Sequence, residues 1–294
     1  MSRIAYVNGS YVPHPAARVH IEDRGFQFAD GVYEVCGVLD GRLLDERPHL
    51  DRLERSLGEL RIAMPMGRRA LRLVMRELIH RNRIRDGLLY IQVTRGVAPR
   101  DHKFPAATTR PTVVMTARRQ ARRPLDRIAE EGVRVVTMPD IRWRRCDIKS
   151  VSLLPNVLAK QAAREAGAFE AWLVDDEGFV TEGSSTNAWI LDAAGRLITR
   201  HLDQRILHGI TRRLVMEVAA DLGIAVEQRA FTVEEAKQAR EAFLTAATAF
   251  VTPVIEIDGA VIANGAPGSI ALSLRKAYAE ASIAKAESLS GQIT

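Results

Sequence analysis

Lysine is scarce in this chain: of 42 basic residues, 36 are arginine, and the six lysines are Lys103, Lys149, Lys160, Lys237, Lys276 and Lys285. A guanidinium stays protonated and is not a nucleophile, so any chemistry that needs an amine must fall to one of those six. Cysteine is scarcer still. Cys36 and Cys146 have neither metal nor redox spacing, which excludes a disulfide framework and fits a reducing compartment. Aromatic residues make up 5% of the chain and do not interleave with the basic ones, so the stacking surface of a single-strand nucleic-acid binder is missing. No apolar run is long enough to span a bilayer, and Met1 to Tyr6 lacks the apolar core of a secretory leader. These absences point to a cytoplasmic protein without membrane or nucleic-acid partners.

What is present is an ordinary globular composition, 47% hydrophobic and 27% charged over 294 residues, enough for one large domain or two smaller ones. The net charge of +6 comes largely from one predicted helix carrying Arg68, Arg69, Arg72, Arg76, Arg81, Arg83 and Arg85. Its opposite stripe of Leu71, Val74, Met75, Leu78 and Ile79 has helical spacing, so the arginines read as a solvated face.

Along the chain, Asn8-Gly9, Asp40-Gly41 and Asp258-Gly259 each interrupt alternating segments with the dipeptides that favour tight hairpin turns. On the strand beginning at Val32, Tyr33, Val35 and Leu39 share one face. A helix follows with Leu50, Leu53, Leu57 and Leu60 buried and Arg52 pointing elsewhere. Strands are expected over 88–95 and 112–117, with an irregular loop from Gly96 to Pro105 between them. Arg118 to Pro124 is polar and ends in proline, the best candidate for a linker between domains 1–120 and 121–294. Beyond it come a strand at 133–138, a helix at 157–166, a hairpin at Asp176-Glu177-Gly178, a helix from Ile210 ending at Gly223, a Thr232/Glu235 capping box and a C-terminal helix. The whole is mixed α and β.

Lys149 lies between the strand ending at Met138 and a helix opening near Leu154, a junction from which a side chain can enter a cleft. Three segments offer small hydroxyl residues beside glycine or at a helix start: Thr181 to Asn187, Gly209-Ile210-Thr211, and Thr245 to Thr248. A helix N-terminus with unbonded amides and a hydroxyl is suited to an anion. Gly-Ile-Thr alone is equally an ordinary cap.

Asp23 to Glu34, Thr94 to Pro105, Asp140 to Lys149 and Thr181 to Asn187 together, in this order, resemble the D-amino-acid aminotransferases, pyridoxal-phosphate enzymes of the branched-chain aminotransferase fold. The resemblance covers nearly the whole chain. It implies that Lys149 holds pyridoxal 5′-phosphate through a Schiff base and shuttles the substrate α-proton. It implies that Glu182 faces the pyridine nitrogen, and that Arg52, Ile210, Thr211 and Thr248 bind the phosphate. Trp143 and Leu207 would pack around the cofactor and its lysine. Tyr33, Arg100 and His102 would hold the substrate α-carboxylate, the last two reaching in from a neighbouring subunit. Ala247 departs from the pattern, standing where a hydroxyl residue is expected beside Thr248.

The resemblance therefore implies a two-domain homodimer with the cofactor at the domain interface and its lysine in the C-terminal domain. Its reaction would move the amino group of a D-amino acid, of the D-alanine or D-glutamate class, to a 2-oxo acid by a ping-pong cycle through pyridoxamine phosphate. A branched-chain L-aminotransferase, an R-selective amine transaminase and an aminodeoxychorismate lyase are the rivals within the fold, and the Arg100-x-His102 loop speaks against all three. A basic nucleic-acid-binding protein on a dead enzyme fold is the rival outside it, with only net charge in its favour.

Overall fold

The computed structural model describes residues 3–290. By its internal contacts the chain divides into two compact units. The first takes in the chain up to Ala121, the stretch Ile148–Ser152 and the C-terminal end from Lys285. The second comprises Arg122–Asp147 and Leu153–Ala284.

The first unit contains β1 (Ile4–Val7), β2 (Ser10–Pro13), α1 (Arg24–Phe28), β3 (Gly31–Leu39), β4 (Arg42–Leu43), α2 (Glu46–Glu59), α3 (Arg68–Arg81), β5 (Gly87–Thr94) and β6 (Thr112–Arg119). They build a six-stranded antiparallel sheet in the order β2-β1-β6-β5-β3-β4. Asn8-Gly9 and Asp40-Gly41 make its tight turns, all four residues with positive φ. Leu50, Leu53 and Leu57 of α2 and Leu71, Met75 and Leu78 of α3 pack on the sheet through Val32, Cys36, Ile91 and Met115.

Three expectations change here. On β3 the buried face is Val32, Glu34, Cys36 and Val38, so a glutamate lies inside while Tyr33, Val35 and Leu39 are half-buried. Arg52 is also buried, on the same side of α2 as Leu53, because Glu34 meets its charge. The polar stretch Arg118 to Pro124 is not a free linker. Arg119 still pairs with Gly87 in the sheet, and Arg122 opens α4 (Arg122–Glu131). Pro124 is tolerated in the first turn of α4, where the missing N–H has no intrahelical acceptor.

The second unit continues with β7 (Val133–Pro139), α5 (Leu154–Glu165), β8 (Glu170–Val174), β9 (Val180–Gly183), β10 (Asn187–Leu191), β11 (Leu197–Thr199), α6 (Ile210–Asp221), β12 (Val226–Gln228), α7 (Val233–Lys237), β13 (Glu241–Ala246), β14 (Phe250–Ile257), β15 (Ala260–Val261) and α8 (Ser269–Ser290). Its mixed sheet runs β12-β11-β10-β13-β14-β7-β8-β9, with β15 hairpinned onto β14. The β7–β8, β7–β14 and β11–β12 pairs are parallel. Only Ser184–Thr186 separate β9, at one end of that order, from β10 near the other, so the sheet must curl on itself.

Both faces of this sheet are covered. Ile190 and Leu244 face one apolar cluster with Trp172 and Phe231. Trp189 and Phe243, paired in register and stacked at 5.4 Å, face another with Leu214 and Val215 of α6 and Leu274 and Tyr278 of α8. That is why β10 is buried at every position instead of alternating. Each such large side chain withdrawn from water contributes roughly 1.5–3 kcal/mol. Among the described residues no helix is long and apolar enough to cross a membrane.

Candidate active site

Lys149 belongs by its contacts to the first unit, not to the C-terminal domain that the sequence suggested. The Tyr33 N–H donates to its carbonyl at 2.9 Å, and Val32 bridges to Ser150, so this short stretch runs along the free edge of β3. The Lys149 N–H in turn donates to Ser56 Oγ of α2 at 3.4 Å. Its side chain is thereby aimed at Tyr33: Nζ donates to the phenol oxygen at 3.3 Å and lies 4.4 Å from the ring centre. The neighbouring Tyr90 donates its hydroxyl to Gln92, and burial pushes it up to about 12, leaving Tyr33 as the hydroxyl beside the amine.

Behind this pair lies an ion cluster the sequence did not reveal. Arg52 donates Nε and Nη2 to the two oxygens of Glu34 at 2.7 and 2.9 Å, and His49 Nδ1 is 2.7 Å from Glu34 Oε2. Burial alone would raise the Glu34 carboxyl, but the charge and hydrogen bonds of Arg52 outweigh it and bring the group down to about 2. His49, Arg52 and Ser56 share one side of α2, so a single helix face connects the ion cluster to the Lys149 backbone.

In the second unit Glu182 lies near the end of β9, 4% exposed, with both oxygens engaged. Oε1 is ion-paired with Arg142 Nη1. Oε2 accepts from Asn187 Nδ2 at 2.9 Å and from the Leu207 N–H at 3.0 Å. Burial raises this carboxyl above its ordinary value against the pull of Arg142. Leu207 thus contributes its backbone, not its side chain. Asn187 also donates to the Leu207 carbonyl at 3.1 Å, tying Glu182 to the segment that leads into α6.

The start of α6 has no side-chain cap among the described residues, since its N-cap is Gly209. A Cβ there would come within 2.0 Å of Asn187 Oδ1, so only glycine fits. Ile210 and Thr211 therefore present backbone amides that the helix cannot satisfy. The Thr211 hydroxyl is buried without a hydrogen-bond partner among the described residues. Next to it Arg212 is buried, donating to the Arg200 carbonyl at 2.8 Å and to Gln228 Oε1 at 2.9 Å, with no carboxylate partner among those residues. Burial drives this guanidinium down to about 10, and it remains a cation at neutral pH. Orphaned amides, an orphaned hydroxyl and a buried cation at one helix start are what a phosphate would satisfy, so these residues fit the phosphate of pyridoxal 5′-phosphate. Thr248 sits half-buried beside Ala247 in the turn between β13 and β14.

Arg100 and His102 are exposed, and both rest on Phe28: the guanidinium carbon is 5.0 Å from the ring centre and the imidazole centre 5.5 Å. Arg24 occupies the same ring at 4.7 Å. Two residues two apart in sequence do project to one side, and an aromatic ring fixes them there. Trp143 is 42% exposed, with its carbonyl accepting from Cys146 Sγ at 3.0 Å.

A buried carboxylate held by an arginine, a lysine amine beside a phenol, and an unsatisfied helix N-terminus define an enzyme of the aminotransferase kind, and the chain belongs to the amino-transferase class IV family, whose pattern matches residues 31–257. It is 42% identical over 271 residues to the D-alanine aminotransferase of Bacillus licheniformis, covering 92% of this chain and 94% of that one. It is 40% identical over 274 residues to the D-alanine aminotransferase of Staphylococcus aureus (strain N315), covering 93% and 95%. Among solved structures, the branched-chain aminotransferase of the archaeon Thermoproteus uzoniensis with norvaline superposes with a TM-score of 0.84 at 28% identity, over 98% of this chain and 97% of that one. A bacterial-type neighbour solved with pyridoxamine 5′-phosphate, also a branched-chain amino acid aminotransferase, superposes with a TM-score of 0.87 at 27% identity, over 96% and 94%.

Proposed function

We propose that the protein transfers the amino group of a D-amino acid, of the D-alanine or D-glutamate class, to a 2-oxo acid in two half-reactions, with pyridoxal 5′-phosphate as cofactor. The observation that carries this reading is the similarity to D-alanine aminotransferases at about 40% identity over more than nine-tenths of both chains. The branched-chain enzymes that share the fold are less similar in sequence, and the Arg100-x-His102 pair favours the D-specific reading.

When bound, the cofactor supplies an aldehyde to take up the amino group and an electron-withdrawing ring that lets the Cα proton leave. Lys149 Nζ is the base that removes this proton and the acid that returns it, with the Tyr33 hydroxyl orienting the amine. Glu182 keeps a proton on the ring nitrogen. The amides of Ile210 and Thr211, the Thr211 hydroxyl, Arg52 and Thr248 hold the phosphate. Arg100 and His102 bind the α-carboxylate, a forked guanidinium being suited to that group. In a homodimer they would serve the neighbouring subunit, which fits their exposure and that of Phe26, 75% accessible on the same helix as Phe28. A cytoplasmic setting fits two buried, unpaired thiols.

Two expected outcomes test these assignments. In a panel of paired D and L donors with 2-oxoglutarate, D-alanine or D-glutamate turns over and the L forms do so weakly. Arg100→Ala raises the apparent Michaelis constant for the donor far more than it changes cofactor affinity. A preference for L-leucine or L-valine would overturn the D-specific reading in favour of the branched-chain one. Glu182→Gln keeps the fold but loses one charge-assisted interaction, worth roughly 1.5–3 kcal/mol or about 10- to 100-fold in turnover. Unchanged turnover would make Glu182 a turn residue only.

A further inference from the structure

The surroundings of Glu182 hold a second carboxylate whose place the reaction does not by itself require. Arg142 is buried and touches two acids unequally. Its Nε and Nη2 donate to both oxygens of Asp140, at 2.9 and 2.8 Å, while Glu182 receives Nη1 alone. The remaining donor capacity of Nη2 goes to the Arg205 carbonyl at 3.0 Å. Asp140 is anchored in turn by the Thr181 hydroxyl, which donates at 2.7 Å. Burial would raise Asp140, but the Arg142 hydrogen bonds outweigh it and hold the carboxyl below its ordinary value.

Asp140, Arg142 and Glu182 thus carry two negative charges and one positive charge away from water. A lone Glu182–Arg142 pair would be neutral and would attract a proton opposite it only weakly. With Asp140 present one negative charge remains uncompensated, and a buried net charge favours an incoming cation strongly. Two further ionisable groups act on Glu182. The Cys146 thiol, pushed by burial to about 12, is neutral. Arg212 acts from beyond ion-pair distance.

We infer that Asp140 is a positioning residue for the reaction: by engaging Arg142 through two hydrogen bonds, it leaves Glu182 enough charge to hold a proton on the cofactor's ring nitrogen. The inference rests on the role proposed above for Glu182 and extends it to a residue that touches neither cofactor nor substrate.

The test is the nitrogen-15 shift of ring-labelled pyridoxal phosphate bound to the wild-type protein and to three variants, followed against pH. In the wild type the ring nitrogen is protonated at neutral pH. Asp140→Asn, which removes the extra charge, should move its titration down by about one pH unit, a tenfold loss of proton affinity. Arg142→Gln should move it upward. Opposite shifts support the inference, and Arg142→Gln alone carries the test if Asp140→Asn does not fold. A titration that stays in place, or moves the same way in both, overturns it. Glu182→Gln separates the two levels: if that variant also titrates like the wild type, Glu182 does not face the nitrogen, and both the assigned role and the inference fall.

Discussion

Lys149→Ala should abolish detectable transamination while leaving the protein folded and as stable as before. The backbone of Lys149 supplies all the structural bonds of its stretch, accepting from the Tyr33 N–H and donating to Ser56 Oγ, and alanine keeps both. The side chain contacts only the hydroxyl and ring of Tyr33, so its loss leaves no buried charge and no cavity in the apolar core. Proton transfer by a positioned base is worth roughly 10²- to 10⁴-fold, and here the same amine also anchors the cofactor, so the loss should reach at least that range. Single-turnover kinetics would measure it. Borohydride reduction of the loaded wild-type protein, followed by peptide mapping, should find the cofactor on the Lys149 peptide. A label on any of the other five lysines, or turnover within tenfold of the wild type, would sink the assignment.

The second large effect is on stability. Glu34→Gln should destabilise the first unit by roughly 3–5 kcal/mol at neutral pH, because it leaves the buried Arg52 guanidinium without its counter-charge. The sign of the pH dependence follows from the depressed Glu34 carboxyl. A group that binds its proton more weakly when folded contributes stability at pH values above its unfolded range. That contribution is lost as pH falls from about 4.5 toward the folded value of about 2. The gap between wild type and Glu34→Gln in urea unfolding should therefore be widest near neutrality and narrow through that acid window. A difference below about 1 kcal/mol at neutral pH would mean that Arg52 meets its charge elsewhere.

The hairpins are legible in the chain because their cause is local. Asn8-Gly9, Asp40-Gly41 and Asp258-Gly259 all adopt positive φ, which those residue types tolerate and most others do not. The Thr232 cap is legible for the same reason, its hydroxyl accepting from the Glu235 N–H at 3.1 Å. What cannot be read from the chain is pairing across distance. Glu34 reads as a polar residue on an alternating strand, and Arg52 as the wet side of a helix. Each is acceptable inside only because the other is there. Arg142 and Asp140 give no sign that they hold Glu182, some 40 residues on. The charge-rich end of β6 misleads for a related reason: its partner strand bonds to the backbone whatever the side chains are. The residues around Lys149 and Glu182 are found through their resemblance to a family. The buried ionic supports behind them are found only in the fold.

The other lysines differ from Lys149 in company. Lys103 lies against Asp101 at 3.1 Å, and Lys237 against Asp258 at 3.4 Å and Glu234 at 3.5 Å. Lys160 is held by Glu170 at 3.4 Å and by the Phe169 carbonyl. An ammonium clasped by a carboxylate must break that pairing before its nitrogen lone pair can attack a carbonyl. Lys149 has a phenol for company instead, and the rest of the surface charge is guanidinium, which does not condense with aldehydes. The distribution of amines thus gives the protein an intrinsic chemoselectivity: a reactive carbonyl, whether cofactor or stray metabolite, meets one unencumbered nucleophile and few competitors.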